Sequence, residues 1–495
     1  MTASSEQAVP ATSISEEAPA EKLSWGEALG VYLRPRVLIV LFLGFSAGLP
    51  LALSGSTLLF WMSEAGVDLG TIGLFALVGL PYTVKFLWAP LVDVLDVPVL
   101  SRLLGRRRGW LVMTQLWLMA AIIFLGFCDP TVSPALIAAG ALMVATASAT
   151  QDIVIDAFRI ESLSEHEQAA GMASYVAAYR VGMLVSTAGA LFLVSGAEAL
   201  GFSQHSAWTA GYAAMALLVL IGVVTVLVAT EPERSAIERP PQARQQALRR
   251  MISAALILLA AYELLAWLLP GRQWLSSLVL LGVIVVLAVR EFRDRDWGVA
   301  ELVAILVFVV LFKFTDALSG AMTPSFVHDL GFSRNEYAAI IKGVGLAATL
   351  LGGFAGGFVA RALSLAACLW IGGIVQAGAN LAFSWQAIVG YDIGWLTLAI
   401  VLENFTSAVG TVIFVAYLSA LCSNPLNTAT QYAVLTALAA VGRTFLSVES
   451  GEVAKANGWP AFFVICAAAA LPSLALLAWL QWRGHFKRLE TKPPQ

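Results

Sequence analysis

The feature that most restricts this chain is a series of apolar runs, each long enough to cross a bilayer. A spanning helix needs about 20 apolar residues, within a range of roughly 17–25. Runs of that size cover residues 37–61, 72–91, 110–127, 135–158, 169–194 and 208–228. A polar, basic stretch at 231–250 follows, then two more runs at 251–269 and 274–289 around the turn Pro270-Gly271-Arg272-Gln273. Six further runs cover 299–322, 337–361, 363–383, 393–421, 429–453 and 459–482. With 12% charged residues against roughly 25% in soluble domains, most of the chain belongs in lipid. The expectation is an all-α integral membrane protein of fourteen spans, six plus a hairpin of two plus six.

Loop charges give an orientation. Arg34, Arg36, Arg102, Arg106, Arg107, Arg108, the arginines of 234–250, Arg290, Arg293, Arg295, Lys487 and Arg488 fall on one side. Glu64, Asp68, Asp129, Glu198 and Asp392 fall on the other. Positive loops stay inside, so both termini and the central linker are expected in the cytosol. The expected units are a disordered tail at 1–35, a six-helix bundle at 36–229, a linker at 230–298 carrying the hairpin 251–289, a second bundle at 299–483 and a tail at 484–495. Residues 1–23 are rich in Ser, Glu, Ala and Pro and lack the pattern of a signal peptide. The hairpin, lying between the halves, is expected at the periphery.

A parallel repeat supports the two-bundle reading. Gln168 precedes Arg180 by twelve residues in the fifth run, and Gln431 precedes Arg443 by twelve in the matching run of the second half. Two six-helix units related by an axis along the membrane normal form the major facilitator architecture.

Charges at membrane depth carry the functional argument, because such residues are costly and mark ion or substrate paths. In Ala149-Thr-Gln-Asp-Ile-Val-Ile-Asp-Ala-Phe-Arg159, the residues Asp152, Asp156 and Arg159 share one helical face. Asp152 is the deepest of the three and the expected proton-linked carboxylate. Asp156 is either a second such group or a headgroup charge, and Arg159 is expected in the headgroups. Lys85 either snorkels to the interface or pairs with Asp152. Arg180 and Arg443 sit well inside their runs and are either buried locks, with Glu403 serving Arg443, or forks for substrate carboxylates. Lys313 and Asp316 form an intrahelical pair, with Lys342 as a second partner for Asp316. Gln151, Gln376, Asn380, Asn404, Tyr179 and Tyr417 supply amides and phenols for sugars or peptides, or hydrogen bonds between helices. Gly352-Gly353 and Gly356-Gly357 form a face for close helix contact.

Other classes are disfavoured. No basic patch interleaved with aromatics marks a nucleic-acid surface. Cys128, Cys368, Cys422 and Cys466 are scattered, and His166, His205, His328 and His485 give no ligand spacing for a metal. No nucleophile–base set suggests a membrane-embedded transferase, which is the alternative of a different class.

Several strings together resemble one family. They are Phe45-Ser-Ala-Gly-Leu-Pro50, Lys85-Phe-Leu-Trp-Ala-Pro-Leu-Val-Asp93 with Gly105-Arg-Arg-Arg-Gly-Trp110, Ser148-Ala-Thr-Gln-Asp-Ile-Val-Ile-Asp-Ala157, Tyr179-Arg-Val-Gly-Met183, Glu403-Asn404 and Ala429-Thr-Gln431. The chain resembles the AmpG-type muropeptide permeases of the major facilitator superfamily across both halves. The resemblance implies a monomeric importer in the bacterial inner membrane, with no cofactor and driven by the proton gradient. Its cargo would be N-acetylglucosaminyl-anhydro-N-acetylmuramyl peptides from wall turnover. Relatives include acetyl-coenzyme A transporters, so another anionic solute is the alternative cargo. On this reading Lys85, Gln151, Tyr179, Arg180, Lys313, Lys342, Gln376, Asn404 and Arg443 bind substrate. Asp152, Asp156, Asp316 and Glu403 carry the proton coupling.

Overall fold

A computed structural model describes residues 30–67, 75–233, 242, 245–249, 251–257, 274–292, 297–332, 336, 338–422, 426–446 and 450–491. These residues form helices, ten of which are long and apolar enough to cross a membrane. The first half contains α1 (Pro35–Leu53), α2 (Ser56–Glu64), α3 (Leu80–Val84), α4 (Ala89–Val94), α5 (Arg106–Phe127), α6 (Pro134–Ser162), α7 (Glu165–Leu184), α8 (Ala190–Ala199), α9 (Gln204–Leu218) and α10 (Leu220–Val228). α11 (Trp274–Phe292) covers the expected second arm of the extra hairpin, while residues 258–273, with most of the first arm and the turn, lie outside the described residues. The second half contains α12 (Val299–Phe312), α13 (Phe314–Asp329), α14 (Gly345–Ala362), α15 (Leu365–Val389), α16 (Ile393–Leu421), α17 (Thr428–Leu446), α18 (Ser450–Ala468) and α19 (Leu471–Trp482), followed by α20 (His485–Thr491).

The expected second span, 72–91, is not one continuous helix. Among its described residues it runs as a 3-10 turn (Phe75–Gly79), α3, another 3-10 turn (Lys85–Leu87) and α4. Pro81 and Pro90 each remove a backbone donor, and each sits at the start of a short helix, where that donor is not needed. The seventh core span likewise divides at Lys313, which ends α12. The last two spans are separated within α18 by Gly458 at φ 74°, a break in the helix that glycine tolerates.

Packing is layered by end. One buried apolar cluster joins both halves at the end carrying the basic loops, from Val37 and Phe158 on one side to Phe414 and Leu438 on the other. At the acidic end each half keeps its own cluster, around Trp61, Trp208 and Tyr212 in the first and around Phe326, Phe383 and Phe463 in the second. The halves meet where α7 lies on α14, and where α17 crosses α6 and α4. They are thus sealed at the basic end and separately packed at the acidic end. α11 packs along α17 and touches α12, outside the helices that meet.

Candidate functional site

α6 is a 29-residue helix that begins at a Ser133 cap with Pro134 in its first turn. Its length carries Asp152, Asp156 and Arg159 from the interior toward the basic end on one face. Asp152 and Asp156 are half-buried. Lys85, on the turn between α3 and α4, lies close enough to act electrostatically on both carboxylates. Asp152 also acts electrostatically on Tyr82, Tyr175 and Tyr179.

The two α7 tyrosines are held in place by backbone contact with α1. A Cβ on Gly48 would lie 2.1 Å from the Tyr179 carbonyl oxygen, and one on Gly182 would lie 2.3 Å from that of Phe45. Only glycine permits that approach. Gln151 is fully buried, and neither of its amide atoms has a hydrogen-bond partner; Asp152 Oδ1 is buried and unpartnered too. Native interiors leave few such groups, so this cluster of α6, α7 and the Lys85 turn is the strongest candidate binding point in the first half.

Two sequence expectations are corrected here. Arg180 is exposed beside Tyr179, so it is not a buried lock. Nor is Arg159 a solvated charge: its side chain is 0% exposed. Its Nη1 donates to Gln168 Oε1 at 3.1 Å, and both Nη atoms donate to Ser419 Oγ of α16 at 3.3 Å. Its guanidinium stacks over the Tyr432 ring of α17 at 5.4 Å, and Nη2 lies 3.8 Å from Asp156 Oδ1. Gln168, one member of the repeat, also donates from Nε2 to the carbonyls of Ile160 and Leu163, both at 3.1 Å, and so closes the end of α6.

A second cross-half contact runs through Asp93 and Arg107, from the paired strings Lys85–Asp93 and Gly105–Trp110 that help carry the family resemblance. Arg107 donates from Nη2 to Asp93 Oδ1 at 2.9 Å and to Glu161 Oε1 at 2.6 Å, with all three side chains at most 1% exposed. Arg106 donates to the Asp93 carbonyl. Asp93 then reaches into the second half. Its carboxylate accepts from the backbone N–H groups of Ala429 (3.2 Å) and Thr430 (2.8 Å) and from Thr430 Oγ1 (2.7 Å). A carboxylate on the first turn of α17 satisfies free donors and faces the positive end of the helix dipole.

In the second half, Lys313 pairs with Asp316 and donates to the Ser407 carbonyl at 3.2 Å. Ser407 Oγ donates to Asp316 Oδ2 at 2.8 Å, leaving Oδ1 buried and unpartnered. Glu403 feels the charges of Asp316 and Lys313. Asn404 is held at both ends: it donates to the Ile400 carbonyl (2.9 Å) and accepts from Thr349 Oγ1 (3.1 Å). Gln376 Oε1 accepts from Thr406 Oγ1 at 2.9 Å, and Asn380 donates to the Gln376 carbonyl, leaving Gln376 Nε2 and Asn380 Oδ1 buried without partners. Tyr417 is likewise committed, its hydroxyl 3.2 Å from His485 Nε2. The side chains of Lys342 and Arg443 lie outside the described residues.

No cluster of three His, Cys, Asp or Glu side chains occurs among the described residues. The arrangement is two groups of charges, one per half.

Comparisons with known proteins fit this arrangement. A family model described as acetyl-coenzyme A transporter 1 matches residues 36–253. The anhydromuropeptide permease of Escherichia coli strain K12 is 36% identical over 452 residues, covering 91% of this chain and 80% of that protein. The proton:xylose symporter XylE of the major facilitator superfamily, solved with 6-bromo-6-deoxy-D-glucose, superimposes with a TM-score of 0.60 at 13% identity, covering 92% of this chain and 96% of that one. The major facilitator transporter FucP in its outward conformation gives a TM-score of 0.59 at 14% identity, covering 90% and 99%. The two solved structures establish the fold and the near-complete permease match establishes the family: the chain belongs to the AmpG-type anhydromuropeptide permeases of the major facilitator superfamily.

Proposed function

We infer that the protein imports anhydromuropeptides across the bacterial inner membrane, coupled to protons, by alternating access. The observation that carries this reading is the 36% identity to an anhydromuropeptide permease along nearly the whole chain. The chemistry agrees with it. Such cargo bears peptide carboxylates and sugar acetamides, which suit Lys85, Arg180, Tyr179 and the unpartnered amide of Gln151. Lys313 offers a cation in the second half. Lys342, Gln376, Asn404 and Arg443 complete the proposed binding set, with Gln376 and Asn404 acting mainly by holding α14, α15 and α16 together.

Coupling requires that cargo and proton each change the other's free energy. An incoming anion that draws Lys85 away leaves Asp152 without its counter-charge, and Asp152 then takes a proton. Asp156 passes the change to Arg159 and the seam between halves. Asp316 and Glu403 face a single described lysine, Lys313, and form the second proposed proton-linked group. In topology, fourteen spans in two six-helix bundles plus a hairpin, with both termini cytosolic, remain the proposal. On it, the basic end is cytosolic and this state opens to the periplasm.

The test is counterflow of labelled GlcNAc-anhydroMurNAc-tripeptide in proteoliposomes. Saturable exchange competed by unlabelled muropeptide is expected, and absence of exchange with correctly folded protein would sink the reading. The family model over residues 36–253 favours a second cargo, acetyl-coenzyme A. Its addition as competitor decides between the two.

A further inference from the structure

The second span carries Lys85 without a continuous helix to hold it. Val84 leaves the helical region at φ −98° and ψ 7°, and Lys85–Leu87 follows as a 3-10 turn. Pro90 has no N–H to give the Phe86 carbonyl, so the ladder of backbone bonds does not run through the turn. The Trp88 N–H closes it with a bond to the Lys85 carbonyl at 3.3 Å. The turn lies against α6 of its own half and α17 of the other. Under alternating access α17 leaves the turn when the basic end opens, while α6 stays with it. The side chain of Trp88 ties the turn to α6: its Nε1 donates to Thr150 Oγ1 at 3.1 Å. Thr150 is 4% exposed, and its hydroxyl proton is given to the Thr146 carbonyl at 2.7 Å, so its oxygen meets the indole as an acceptor. Thr150 stands two residues before Asp152, and Trp88 three after Lys85. The bond thus joins the two backbones where Lys85 acts on Asp152.

We propose, on the proton-coupled reading given above, that Trp88 is a positioning residue: through Thr150 it keeps Lys85 within reach of Asp152 while α17 moves away. A pair tied within one half keeps its mutual attraction through the cycle. Cargo, and not the parting of the halves, is then what separates Lys85 from Asp152, as tight coupling requires. Without the tether the turn loosens whenever α17 withdraws, and Asp152 loses its counter-charge with no cargo bound. The other groups in electrostatic contact with Asp152 are Asp156 on its own helix, Tyr82 of α3, and Tyr175 and Tyr179 of α7, with Arg180 beside Tyr179. None of these is altered in the variants that follow.

Infrared spectroscopy of the full chain in lipid, followed against pH, reads the protonated Asp152 carboxyl as the band lost in Asp152→Asn. Lys85→Ala is expected to displace the pH at which that band appears by about one unit or more, the scale of a lost counter-charge. Trp88→Phe keeps a ring and removes the donor, and should displace the band in the same direction by at least about threefold in proton concentration. Thr150→Val removes the acceptor from the other side and should match it, and the double variant should add nothing to either. Adding Trp88→Phe to Lys85→Ala should leave the band where Lys85→Ala put it, whereas an indole that only supports the fold would move it again. A band unmoved by Trp88→Phe and Thr150→Val, or unmoved by Lys85→Ala itself, overturns the proposal. The spectra are read without transport, so the expected displacements in a protein whose wild type shows no muropeptide counterflow would defeat the functional reading alone.

Discussion

Asp152 occupies the position where a proton can answer the arrival of cargo. It shares Lys85 with Asp156, has one buried oxygen without a partner, and acts electrostatically on three tyrosines. Asp152→Asn is therefore expected to abolish accumulation driven by a pH gradient in proteoliposomes while leaving exchange at equal pH within about threefold, because a conservative amide keeps the hydrogen-bonding shape. Undiminished pH-driven accumulation removes Asp152 from the coupling; loss of exchange as well makes it a binding group. Arg180 is exposed in this state, and its proposed role is contact with cargo. Arg180→Ala should raise the half-saturating muropeptide concentration by about tenfold or more, the scale of a lost charge-assisted hydrogen bond, with normal amounts of folded protein. Arg180→Lys should recover little, since a point charge does not reproduce the guanidinium fork. Normal uptake by both variants would exclude Arg180 from the cargo site. The common face of Asp152, Asp156 and Arg159 was legible in the sequence because helical spacing alone sets it. The burial of Arg159 was not, because its covering groups, Ser419 and Tyr432, lie on helices of the other half, and no local pattern announces them.

Among the elements, legibility followed the continuity of the apolar pattern. The third, fourth and tenth core spans match α5, α6 and α16 within a few residues, since each is an uninterrupted run with a clear cap or loop at its ends. The second span read as apolar but not as broken. Its prolines were visible, yet their effect depends on which carbonyls the neighbouring helices cover. The contact of α1 with α7 is the element-scale device that places Tyr175 and Tyr179. Gly48→Val would force a side chain into the Tyr179 carbonyl, and the overpacking should cost about 1–3 kcal/mol. The expected outcome is a lower melting temperature and lost uptake, whereas Gly353→Ala on α14, where a Cβ meets nothing within 4 Å, should change neither. Equal stability of Gly48→Val and wild type would mean the helices can separate there at little cost. The hairpin is a topological prediction of its own. A reporter fused after Arg272 is expected to read periplasmic and one after Arg295 cytosolic, and a cytosolic signal at Arg272 removes the hairpin from the span count.

At the scale of the molecule, hydrogen bonds that join the halves lie at the basic end: Tyr32 to Phe354, Arg159 to Ser419, and Asp93 to Ala429 and Thr430. Opening that end must break all of them, and Arg159 is the one tied to the carboxylates of the candidate site. Asp156 lies beside Arg159, so a charge change at Asp152 or Asp156 can reach the other half through Arg159. Hydrogen bonds from a charged donor contribute about 1.5–3 kcal/mol, which corresponds to at least about tenfold in the balance between the sealed and opened states. Arg159→Gln should therefore shift that balance toward opening at the basic end. Ala173 reports the shift, because it is fully buried and faces Gly357 of α14 across the seam. With Ala173→Cys as the labelling site, a membrane-impermeant maleimide applied to the basic side is expected to react at least about tenfold faster when Arg159→Gln is added. Muropeptide supplied to a chain with Arg159 intact should raise the same rate, and supplied to Asp152→Asn at a low opposing pH it should raise it less. A labelling rate that ignores Arg159→Gln would show that Asp93 and the α7–α14 contact hold the seam without it, and that the carboxylate ladder ends at Asp156.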